Sequence, residues 1–99
     1  MSVLVVIKIP ADTKKFEAFA AANKAILREF EDQGKALGAV HHRFGVGDGV
    51  IFVIDEWGTR EEFEAFFANP QMASVMQEAG AMGAPAFEFY EAIDTTDEF

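Results

Sequence analysis

Apolar residues fill Val3 to Ile9 almost without a break, as in a strand covered on both faces. Pro10 ends the run, and Asp12 or Thr13 can cap a helix after it. Between Lys14 and Ala36 the apolar positions 16, 19, 20, 26, 27 and 30 recur at helical spacing, with the charged residues largely elsewhere. Ala39 to Val46 reads as a second strand, Gly47–Asp48–Gly49 as a hairpin turn, and Val50 to Trp57 as a third strand. Thr59 and Glu62 form a capping-box pattern ahead of a helix striped with Phe63, Phe66 and Phe67. Asn69–Pro70 interrupts that helix and starts another piece, which runs to about Glu78 with Met72, Val75, Met76 and Ala79 on one face. Ala86 to Ile93 alternates as a fourth strand, and residues 94–99 form an acidic tail expected to fray.

The order β-α-β-β-α-β predicts one α+β domain over residues 1–99. It is the ferredoxin-like arrangement, a four-stranded antiparallel sheet with its helices on one face. The strands are nonetheless apolar on both faces. Val3, Val5, Ile7 and Ile9 oppose Leu4 and Val6, and Phe52 and Ile54 oppose Ile51 and Val53. A lone copy would leave a large apolar face in water. The expectation is a homodimer, sheet against sheet, with a ligand space enclosed between the paired sheets.

Composition narrows the partners. Seventeen acidic against eight basic residues give a formal charge of −9, with no basic cluster, which argues against nucleic acid and against an anionic membrane surface. There is no cysteine, so neither a disulfide framework nor a thiolate metal site is available. The apolar start is too short to span a membrane and lacks a basic leader, so a cytoplasmic location is expected. A hydrophobic fraction of 51% with eleven phenylalanines supplies one core.

The two histidines, His41 and His42, are adjacent. On a strand they point to opposite faces, so they cannot converge on one metal ion, and no metal is expected. If the more apolar set Val40, His42, Phe44 and Val46 meets the helices, His41 and Arg43 face the other way, where they can hold an anionic or phenolic ligand. Asp55 shares a face with Trp57 and has two readings: a base in a buried sheet, or a partner for Arg43 across the hairpin. Trp57 is either a cavity wall or a strand-end anchor. Asn23 falls on the apolar stripe of the first helix, as a core hydrogen-bonding amide or a ligand contact. Tyr90, the only tyrosine, can offer a hydroxyl to a cavity. Phe66 and Met76 suit core and pocket alike. No nucleotide-binding, serine-hydrolase or zinc-protease motif occurs.

The stretch VIDEWGTREEFEAFFANPQMASVM, residues 53–76, resembles the antibiotic biosynthesis monooxygenase family. It has a strand ending in an acidic residue and Trp, then a capped Phe-rich helix, then an Asn–Pro break. The resemblance implies a dimeric α/β barrel. In one branch, it implies oxidation of polycyclic phenols by O₂ without metal or flavin, the substrate anion supplying the electrons. The haem-degrading branch has an Asn on strand one, a Trp in the second helix and a His ten residues after it. Here Phe66 and Met76 stand at the latter two positions, and strand one has no Asn, a residue also frequent in the quinone-forming branch. The resemblance thus implies a cofactor-independent oxygenase of a small apolar aromatic. Trp57 would stack on the substrate, His41 would act as base, and Arg43 would stabilise the anion. Asn23, Asp55, Tyr90, Phe66 and Met76 would line the site. The alternative is a non-catalytic ligand-binding or structural homodimer of the same fold.

Overall fold

The computed structural model describes residues 2–99. Eight elements follow in the order β1 (Val3–Pro10), α1 (Thr13–Ala22), α2 (Lys24–Leu37), β2 (Ala39–Gly47), β3 (Val50–Trp57), α3 (Arg60–Phe67), α4 (Pro70–Glu78) and β4 (Ala86–Glu91). The strands form one antiparallel sheet in the order β2-β3-β1-β4, the ferredoxin-like order anticipated from the hydrophobic pattern.

Caps set the helix starts. Asp12 accepts from the Lys15 amide at 3.1 Å, Thr59 from the Glu62 amide at 3.2 Å, and Asn69 from the Gln71 amide at 3.0 Å, with Pro70 opening α4. The single helix expected from Lys14 to Ala36 is in fact two. Asn23 leaves helical geometry (φ −125°, ψ 42°), and its side-chain amide donates to the Phe19 carbonyl at 2.9 Å. The amide therefore finds its partner at a helix joint, not on an uninterrupted stripe. At the β2–β3 turn, Gly49 takes the positive φ of 69°.

The core lies between the helices and one face of the sheet. Val5, Ile7, Ile9, Ile51, Val53 and Trp57 are buried there against Phe16 and Phe63. Their registers alternate, with Val5 opposite Asp55, Ile7 opposite Val53 and Ile9 opposite Ile51. At roughly 25 cal/mol per Å² of apolar surface, this face is the main source of stability. The other face carries Leu4, Val6, Phe52, Ile54 and Tyr90, with Ile54 49% and Tyr90 53% exposed. Among the described residues, no helix is long and apolar enough to cross a membrane.

Candidate functional site

A cavity of about 400 Å³ lies between the helices and the sheet. Its floor is the helix-facing side of β1, β2 and β3, with Ile7, Val53, Asp55 and Trp57. Its roof comes from all four helices: Phe16 and Phe19 of α1, Leu27 and Phe30 of α2, Phe66 of α3, and Met72 and Met76 of α4. Aromatic contacts hold these walls, with Phe30 edge-on to Phe66 at 6.3 Å and Trp57 tilted against Phe66 at 5.2 Å. This cavity lies under the helices, on the helix-facing side of the sheet and apart from the outer face where a second copy would dock.

Almost everything in the lining is apolar. Among the described residues, its charged or titratable side chains are Asp55, His41 and His42 from the sheet and Glu31 and Lys35 from α2. The sheet register brings His42 opposite Asp55. His42 Nδ1 and Asp55 Oδ1 are 2.6 Å apart, and the Trp57 indole N–H donates to Asp55 Oδ2 at 3.1 Å. Asp55 is only 4% exposed. Such a buried carboxylate is tolerable because both of its oxygens are hydrogen-bonded. His42 is more open, its side chain 40% exposed, with its ring edge-on to Phe44 at 4.6 Å. At the mouth, Lys35 pairs with Glu31 at 3.0 Å. That hydrogen bond and the lysine charge hold the Glu31 carboxyl below its ordinary value, with smaller help from Arg28 and His42.

The expected pair of Asp55 with Arg43 does not form. Arg43 stands opposite Ile54, on the outer face, and the carboxylate bonds His42. The anticipated phase of β2 holds from His42 onward, since His42 and Phe44 oppose the buried Asp55 and Val53. At the start of the strand the register shifts between Ala39 and His41, and Val40 still borders the cavity. There Ala39 stands opposite Trp57, and Val40 is 57% exposed. His41 pairs in register with Glu56 and also borders the cavity beside this bulge. Trp57, Asp55, Phe66 and Met76 line the cavity, whereas Arg43, Tyr90 and Asn23 do not. Tyr90 pairs in register with Leu4 on the outer face. The sequence reading does not bring His42 to Asp55: a three-residue turn at 47–49 would set it opposite Ile54, whereas the observed pairing of Gly47 with Val50 shifts the register by one and sets it opposite Asp55. Among the described residues, no group of three or more His, Asp or Glu side chains is arranged to hold a metal ion.

This architecture is shared with antibiotic biosynthesis monooxygenase structures. The ActVA-Orf6 monooxygenase of Streptomyces coelicolor, solved with nanaomycin D, superposes with a TM-score of 0.69 at 14% identity, over 99% of this chain and 93% of that one. SnoaB, a cofactor-independent oxygenase of Streptomyces nogalater, gives 0.63 at 16% identity over 98% of each chain. A Caulobacter crescentus protein assigned to the antibiotic biosynthesis monooxygenases gives 0.64 at 16% identity, over 94% of this chain and 91% of that one. At these identities the likeness is one of fold. No protein-family model matches the chain, and no curated protein sequence matches it.

Proposed function

We propose that the chain is a monooxygenase-like cavity enzyme acting on a small aromatic molecule with an acidic hydroxyl, with O₂ as co-substrate and neither metal nor flavin required. The observation that carries this reading is the pairing of an aromatic-walled cavity of about 400 Å³ with one carboxylate-oriented imidazole at its edge. His42, rather than the neighbouring His41, takes the phenolic proton. Lys35 at the mouth provides the cationic neighbour anticipated for Arg43. The phenolate then supplies electrons to O₂. One oxygen atom enters the ring at a C–H carbon to give the quinone. The other leaves as water with the two hydrogens lost from O–H and C–H. That the fold hosts oxygenases in the two Streptomyces proteins supports this reading. A second copy docked on Leu4, Val6, Phe52 and Ile54 completes the molecule as a homodimer in the cytoplasm.

The test is a thermal-shift screen against polycyclic phenols, quinones, haem and fatty acids, followed by oxygen uptake with whichever class binds. A ligand at a hundred times its Kd stabilises by about 2.7 kcal/mol, a shift of several degrees. Phenol binding with oxygen uptake is the expected result. Binding without uptake would leave a ligand-binding dimer, and no shift with any class would overturn the cavity reading.

A further inference from the structure

We propose that Trp57, Asp55 and His42 make the cavity a proton-transfer catalyst that works without oxygen, a keto–enol tautomerase for arylmethyl ketones, whose benzylic enol is conjugated with the ring. The proposal rests on the reading that the cavity takes aromatic guests, but not on oxygenation.

The argument starts from the carboxylate. Both Asp55 oxygens are occupied, one by His42 Nδ1 at 2.6 Å and the other by the Trp57 indole N–H at 3.1 Å. Asp55 is buried and already bonded at both oxygens, so it acts through His42. An acceptor carboxylate at Nδ1 places the ring hydrogen there and leaves the Nε2 lone pair as the base. The same carboxylate stabilises the imidazolium that forms when the base takes a proton. Trp57, 1% exposed, anchors the far oxygen and is itself held by Phe63 at 5.7 Å and Phe66 at 5.2 Å. Phe44, packed on Phe16 at 5.2 Å, braces one side of the imidazole. His42 is the catalytic residue of this chain of contacts, and Asp55 and Trp57 are positioning residues.

The step balances without a redox partner. The C–H bond next to the carbonyl breaks, its proton passes to Nε2, and its electron pair becomes the enolate π bond. The imidazolium then returns a proton to the carbonyl oxygen, giving the enol, or to carbon, restoring the ketone. Because the His42 side chain is 40% exposed, its acquired proton exchanges with water between these events. In D₂O the guest therefore gains deuterium.

The probe is 2-tetralone in D₂O under argon, with loss of the C1 proton signal followed by NMR. Its binding is checked by thermal shift. The expected result is exchange about 10²-fold or more above the buffer background. His42→Ala, at an open position, returns the rate to background. Asp55→Asn, nearly isosteric, lowers it at least about tenfold with the melting transition retained. Trp57→Phe keeps the wall, removes the donor and gives an intermediate rate. Independently of rate, ¹⁵N shifts of His42 report the Nδ1–H tautomer in the parent chain and a mixture in Asp55→Asn, an outcome a purely packing role would not produce.

Exchange unchanged in His42→Ala overturns the proposal. So does background exchange by the parent chain with 2-tetralone bound. Background exchange together with oxygen uptake on a naphthol overturns it while leaving the oxygenase reading intact. Exchange without uptake on any phenol does the reverse, supporting it and removing the oxygenase. Failure of binding, exchange and uptake together overturns both.

Discussion

His42 and Asp55 are 13 residues apart in the chain and 2.6 Å apart in space. The two-residue turn at Asp48–Gly49 causes this. It sets Gly47 opposite Val50, and counting back along both strands puts His42 opposite Asp55. On a strand, a slip of one residue carries a side chain to the other face. The dyad therefore depends on the length of the turn as much as on its own two residues.

The Gly34 position is expected to accept Ala with a gain in stability. A Cβ there would meet Ala39, Trp57 and Phe66 at 3.6–3.7 Å, which is ordinary contact. Gly in a helix interior is about 0.5–1 kcal/mol less favourable than Ala. Urea unfolding of Gly34→Ala should show a raised midpoint with an unchanged slope, and the added methyl should trim the Trp57 end of the cavity.

Gly80→Ala should do the opposite. Gly80 has φ of 104°, and a Cβ would lie 2.9 Å from the Asp12 backbone oxygen. The Asp12 amide also donates to the Gly80 carbonyl at 3.0 Å, so the two segments cannot separate freely. A loss of about 1–3 kcal/mol is expected in the same unfolding assay.

The mouth pair gives a pH prediction. Lys35 holds the Glu31 carboxyl below the ordinary value of 4.5, through its hydrogen bond first and its charge second. A carboxyl depressed by folding contributes stability above that value, and the contribution disappears as pH falls through the lowered one. The pair is exposed, so the contribution is small and salt-sensitive. NMR titration of the Glu31 carboxyl should show its midpoint move up toward 4.5 in Lys35→Met.

Ile54→Lys tests the outer face. Ile54 is 49% exposed, opposite Val6 in the middle of the sheet. Placing a charge there should leave the monomer folded, because surface changes away from packing contacts are usually within about 0.5 kcal/mol. It should also convert a dimer to a monomer in size-exclusion chromatography with light scattering. A parent chain that already runs as a monomer would refute the dimer.

Particular residues explain what can be read from the chain. Strand order, the Asn69–Pro70 break and the inward phase of His42 follow from local periodicity and from turn chemistry, which the sequence states directly. The exposure of Val40 does not, because a bulge adds a residue without any compositional mark. Nor does the joint at Asn23, because a break between helices leaves the apolar spacing on either side intact. The side of the sheet holding the cavity is illegible for a third reason. An apolar helix-facing surface reads the same whether the helices touch it closely or arch above it. Arg43 lies on the outer face, as its phase on the strand predicts, and Tyr90 lies there with it.

The two joints, at Asn23 between α1 and α2 and at Ala68–Asn69 between α3 and α4, divide the roof into four panels over a continuous floor. His42 and Asp55 sit on the floor, and Phe19, Phe30, Phe66 and Met76 line the cavity from the panels. On the proposed function, selectivity and reactivity are therefore carried by separate pieces of the chain. A descendant can acquire a new guest by reshaping one panel, α4 most readily since it has no fully buried residue, while its proton chemistry passes on unaltered.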